Sequence, residues 1–354
     1  VRKFILLMAV LLLALPASAE TLRFQVNSLL TSDAVAPDAP DALPAIETKV
    51  HEFDIDRLQA LFMKGNPVRE DTDDGSQHCT TLGGQKGDPD YMLIERDLGR
   101  FCYSTAYYGS HFHEVLRFRD EMTDFSSFFP ADLELPGLSK AEAVTNARTM
   151  LESLGIRLLP GRKVYTIEAN AYAGFQEKLA TSEFQTYISK RYLEPLDPDH
   201  EGYYMVFEQA LNGQRCDAQG DPGIAEVLLT RRGYDYVDSG FVVDEVSREA
   251  AQPVLSAGEA LKRAADDLTL GQDVWDGEGM LTIERVRLAY EPRNKQDSWY
   301  SPDSGPFYPV WKYDFVPFRG ITPGSWKNPT LDSAGFVSTI HLDARTGEII
   351  ARNG

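Results

Sequence analysis

Two histidines one residue apart, His111 and His113, come nearest in this chain to metal or acid–base chemistry. The alternation from Phe112 to Phe118 predicts a strand, on which residues two apart face the same way, so both imidazoles could meet one Zn²⁺. A third ligand, such as His51 or Glu114, would have to arrive by folding. The plainer reading is two surface histidines on a sheet face. Asp71, Asp73 and Asp74 before Gly75, and Asp197, Asp199 and Glu201 before Gly202, could offer Ca²⁺ several oxygens. Neither stretch has EF-hand spacing, and solvated acidic turns account for both. Among Cys79, Cys102 and Cys216 there is no CxxC; in an oxidising compartment the pair Cys79 and Cys102 closes a short disulfide loop. Trp299 and Tyr300 lie in a polar, Pro- and Ser-containing connection that is hard to bury, so they are candidates for recognising a peptide, glycan or protein.

Standard catalytic signatures are missing from the sequence. There is no Gly-x-Ser-x-Gly elbow and no phosphate-binding loop, and His113-Glu114 continues as Val-Leu-Arg rather than as a zinc-protease helix. The reading is a non-enzyme without a required cofactor, Ca²⁺ and Zn²⁺ being the only candidates.

An internal repeat positions these residues. Leu138-Ser-Lys-Ala-Glu-Ala is written again as Leu255-Ser-Ala-Gly-Glu-Ala, 117 residues on. Ser139 with Glu142, and Ser256 with Glu259, make the Ser-x-x-Glu box that opens a helix. Val144, Ala147, Leu151 and Leu154, like Leu261, Ala264 and Leu268, fall on one helical face; Gly155 and Gly271 end the helices. Thr166-Ile-Glu168 matches Thr282-Ile-Glu284 further along.

Strands follow in both copies: 163–172, 203–211 and 226–237, then 281–290, 307–315 and 337–350, the last of each carrying a hairpin turn. Phe307, Trp311, Tyr313 and Phe315 alternate onto one side and supply the core beneath the second helix. The fold class is therefore α+β, a repeated helix on an antiparallel sheet behind an N-terminal α+β unit. The expected divisions are a leader over 1–19, a Pro/Ala/Asp-rich linker or strap within 20–45, a unit over 46–130, and repeats over 138–240 and 255–354. In the N-terminal unit, Asp54 caps a helix over Ile55 to Met63, Lys64 to Asp90 reads as a long loop, and Tyr91 to Ser104 as a hairpin.

Arg2 and Lys3, a twelve-residue apolar run and Ala17-Ser18-Ala19 read as a cleavable signal peptide, too short to span a bilayer as a stable helix. Its removal takes the formal charge from −19 to −21. Such a surface suits neither nucleic acid nor anionic lipid, whose phosphates need Lys and Arg.

The helix opened by Leu-Ser-x-x-Glu-Ala and the closing Ile340-His-Leu-Asp-Ala-Arg-Thr-Gly-Glu-Ile-Ile350 resemble the PepSY-type module of exported proteins, over roughly residues 138–352. Two modules behind a leader also resemble extracytoplasmic regulators of the YycH and YycI type, which keep a transmembrane anchor where this sequence reads as a cleavable leader. The resemblance implies a secreted or envelope binding protein whose partner is a sensor or a peptidase, and it implies no catalytic residue. A peptidase-inhibiting module and a metal-dependent hydrolase using His111 and His113 are the alternatives.

Overall fold

The computed structural model describes residues 20–21, 30–32, 34–63, 68–82, 90–117, 125–181, 194–217, 223–264, 281–292, 306–317 and 339–353. The predicted leader, residues 1–19, lies outside them, as do Trp299 and Tyr300. The chain divides into an inserted unit, residues 48–246 with 296–305, and a terminal unit of residues 1–47, 247–295 and 306–354. Both mix helices with largely antiparallel sheet, the α+β class that the sequence predicts.

In the inserted unit, α1 (Ile55–Phe62) starts where the Asp54 carboxylate accepts the Arg57 N–H, as the sequence predicts. Strands β1 (Val68–Asp73), β2 (Gln77–Leu82), β3 (Tyr91–Glu95) and β4 (Arg100–Ser104) pair in succession, all antiparallel. The stretch expected to be a loop thus contains a hairpin, because Asp74 accepts the N–H groups of Ser76 and Gln77 and fixes a tight turn.

After β4 a π turn (Tyr108–Phe112) runs into α2 (His113–Arg117), where the sequence suggested a strand. Helical spacing wins here because Tyr108, Phe112, Val115 and Leu116 share one buried face. Helix α3 (Lys140–Ser153) follows, then β5 (Leu158–Ile167), α4 (Ala169–Thr181), β6 (Gly202–Leu211), β7 (Ile224–Thr230) and β8 (Gly233–Asp238).

These strands form one sheet in the order β5-β6-β7-β8-β4-β3-β2-β1. The Val237–Tyr103 register joins the expected N-terminal unit to the first repeat in a single sheet. Strand β6 is buried on both faces. Tyr203, Met205 and Phe207 pack with Leu58, Phe62, Ala147 and Leu151, while Tyr204 and Val206 pack with Phe112, Tyr172 and Phe175. Burial on two faces makes it read as a continuous apolar run rather than an alternation. Helix α3 ends as its sequence demands: Gly155 takes φ +91°, its N–H donates to Glu152 O, and Ile156 N–H donates to Leu151 O.

In the terminal unit, α5 (Ala257–Ala264) precedes β9 (Leu281–Pro292), β10 (Phe307–Pro317), β11 (Thr339–Asp343) and β12 (Ile349–Asn353), an antiparallel meander in chain order. Trp311 and Tyr313 do pack beneath this helix, with Ala260, Leu261, Leu288 and Leu342. Of the two readings of the Pro-rich segment, linker or strap, the structure has the strap, packed into this core. Ala36 and Leu43 are buried in it, Leu43 registers with Gln252, and Val254 N–H donates to Asp41 O. Extended backbone suits a strap that pairs along one edge, and that is how the prolines are used.

Thr166 sits near the downstream end of β5 but Thr282 near the upstream end of β9, so the sequence match there does not mark equivalent strand positions. Among the described residues no helix is long and apolar enough to cross a membrane.

Candidate functional site

The most concentrated chemistry in the inserted unit involves His111 but not His113. Thr105, just beyond β4, opens the following helix: its hydroxyl accepts the Tyr108 N–H at 3.1 Å and its carbonyl accepts the Gly109 N–H. That places Tyr107 on the first turn. The Tyr107 ring lies parallel between two imidazoles, with centroids 3.9 Å from His111 and 3.4 Å from His200.

His200 ends a 3₁₀ turn (Pro198–His200) in which Asp197 accepts the Asp199 N–H and Pro198 supplies a pre-set φ. Tyr107 OH accepts the Asp197 N–H at 2.8 Å, tying this turn to the helix entry. His200 Nδ1 meets Asp235 Oδ2 at 2.6 Å, with Asp235 only 3% and His200 6% exposed.

A bulge aims Asp235 at the histidine. Leu228 registers with Tyr236 and Leu229 with Tyr234, leaving Asp235 as the extra residue of β8. Tyr234 and Tyr236, two apart, accordingly pack in different cores. Thr105 Oγ1 lies 3.3 Å from Asp235 Oδ1 and supports the carboxylate from the helix side. A carboxylate on Nδ1 fixes the ring's orientation and tautomer. His111 Nδ1 is held by Tyr107 O at 3.2 Å, and its Nε2 lies 3.8 Å from Glu194. Burial pushes the pKa of His111 down, with a smaller opposing effect from the Tyr107 carbonyl.

The expected His111–His113 pair is not formed. His111 is buried in the stack and His113 is exposed, since two residues along a helix turn the side chain by about 200°. Among the described residues no three His, Cys, Asp or Glu groups gather as a metal site. The acidic stretches are used internally. Arg96 grips both oxygens of Asp73 and, with the Gly75 N–H, holds that carboxyl well below its ordinary range. Asp71 faces His78 at 3.0 Å, and Glu201 pairs with Arg231 at 3.0 Å.

The expected Cys79–Cys102 disulfide is absent. Both cysteines register with Leu93 from opposite sides of β3, which separates them by two strand spacings, about 9.5 Å. A disulfide needs Cα atoms within about 7 Å. Burial instead pushes the Cys102 thiol pKa up.

A second polar cluster lies in the terminal unit. Glu291, Lys312 and His341 are each at most 5% exposed; Glu291 contacts the ammonium at 2.5 Å and the imidazole at 2.6 Å. Sequence reasoning missed His200, Asp235 and this triad because each draws its members from separate strands or turns. The only local hint is a lone acid at the centre of Gly-Tyr-Asp-Tyr-Val.

Fold and site together define an α+β protein in which most histidines face carboxylates. No known protein family matches the sequence, and no curated protein matches it. Among solved structures the chain is similar to an uncharacterized protein from Eubacterium rectale ATCC 33656, with TM-score 0.56, 13% identity and 92% of each chain covered. At that identity the likeness is one of fold.

Proposed function

We propose that this chain is an exported, non-enzymatic binding or regulatory protein, built on two PepSY-like modules and acting through protein–protein contacts in the cell envelope or outside the cell. The observation that carries the reading is one plan used twice. A serine-capped helix, α3 or α5, precedes four successive antiparallel strands, β5-β6-β7-β8 with α4 inserted after β5, or β9-β10-β11-β12. In each, an aromatic on the second strand donates to the carbonyl just before the cap serine: Tyr203 OH to Leu138 O and Trp311 Nε1 to Leu255 O, both 3.0 Å.

The use of the histidines supports the same reading. His51, His78, His200 and His341 face carboxylates within 3.3 Å, an arrangement that rigidifies a scaffold. Trp299 and Tyr300 are the proposed contact residues.

The test is a crosslinking capture from the native envelope with residues 20–354 as bait, followed by titration of the purified partner. One partner that binds the parent and loses at least tenfold affinity with the Trp299→Ala/Tyr300→Ala variant supports the reading. Equal binding by both removes that patch, and no saturable partner removes the function. A captured peptidase is then assayed with and without the chain, so that inhibition is read directly.

A further inference from the structure

The Tyr107 stack ties together two segments far apart in sequence, the helix entry 105–112 and the turn 194–200, through the buried His111 ring. Two contacts hold them, the His111–Tyr107–His200 stack and the Asp197 N–H to Tyr107 OH bond, while the Tyr172 hydroxyl of α4 anchors the helix entry by donating to His111 O at 2.6 Å. The π turn at 108–112 departs from regular helical bonding here, as π turns at functional sites often do.

The charged groups around His111 decide what a proton does. His200 faces it across the Tyr107 ring, Glu194 approaches its Nε2 at 3.8 Å, and Asp197 and Asp235 lie on the far side of Tyr107. Asp235 is committed to His200 Nδ1 at 2.6 Å, and the Glu194 side chain is 70% exposed, so water screens its attraction. A protonated His111 is therefore a poorly compensated charge in a buried site, with the His200 ring rather than a carboxylate facing it across one aromatic ring. We infer that the stack is a pH-sensitive latch: it holds the turn 194–200 against the helix entry 105–112 at neutral pH and releases it on acidification.

The sign follows from burial. His111 is neutral in the closed latch, and its folded pKa is lower than its unfolded one. Both states are neutral above the ordinary histidine value of about 6.5, and the open state gains the proton first as pH falls below it. Stability of the latch is thus present at pH 7.5 and lost progressively below about 6.5.

The experiment is amide hydrogen exchange on the whole chain at pH 7.5 and 5.5, corrected for intrinsic rates, with the β7 amides as the reference for an intact fold. In the parent, residues 106–112 and 196–201 should lose about tenfold in protection at pH 5.5 while β7 is unchanged. His111→Phe keeps a ring in the stack without a titrating group and should remain protected at both values; His111→Gln serves if that variant misfolds. Unchanged protection in the parent, or equal loss in parent and variant, overturns the latch. The readout needs no partner, so failure of the binding proposal leaves this result standing.

Discussion

Replacing Gly155 by alanine tests the reasoning about α3 most directly, because two separate costs meet there. The first is conformational. At φ +91° an L side chain is disfavoured, and the substitution costs about 1–2 kcal/mol. The second is space. A Cβ at 155 would sit 2.6 Å from His51 Cε1, so the ring must move. His51 donates to Leu154 O at 2.9 Å and meets Asp244 at 3.0 Å, and losing each of these costs about 1 kcal/mol. The total is about 3–4 kcal/mol, a large share of a domain's usual margin. Gly75 supplies the control, with φ +92° and nothing within 4 Å, so Gly75→Ala should cost only the conformational part. Exchange of the slowest β6 and β7 amides reads the stability of the inserted unit. In a His51→Ala background the clash is relieved, and the cost of Gly155→Ala should fall to about 1–2 kcal/mol. Equal losses for Gly155→Ala and Gly75→Ala, or no coupling to His51, would refute the account.

Two further predictions concern the repeat and the cysteines. Ser256 accepts the Glu259 N–H at 3.2 Å while Glu259 accepts the Ser256 N–H at 3.2 Å, so Ser256→Ala should cost about 1 kcal/mol. Alanine at 256 keeps the backbone N–H that Glu259 accepts, so Ser139→Ala, which likewise removes one side-chain bond, of 3.3 Å, should cost about the same 1 kcal/mol; urea unfolding reads both, and no loss in either would sink the argument. Alkylation of the denatured chain without reductant, read by mass, should label all three cysteines, whereas one label per chain would restore the disulfide.

What the sequence made legible was local. The reciprocal capping box of Ser256 and Glu259, the Ser139 and Asp54 caps, the Gly155 stop and the alternation of Trp311 with Tyr313 depend on neighbours within a few residues, and each has its expected place, although Glu142 does not return the Ser139 bond. The failures came where a distant partner overrides the local signal. Residues 112–118 alternate like a strand, yet the buried row from Tyr108 to Leu116 selects helix. The prolines of 37–44 suggested an extended linker or strap, and the choice between them was hidden because the strand partners lie some 200 residues away. The His200–Asp235 contact depends on a bulge that register alone creates, and no motif announces it.

The strap has a consequence for the order in which the chain can fold. Ala42 and Leu43 pair with Pro253 and Gln252, so their partners leave the ribosome about 10–40 s after them at ordinary synthesis rates. The whole of residues 48–246 is made in that interval and can complete its own sheet first. The terminal unit is therefore assembled last, from both ends of the chain. A premature stop before residue 250 would leave the main body of the inserted unit, residues 48–246, joined to a strap whose partners were never made, a natural mark for quality-control proteases.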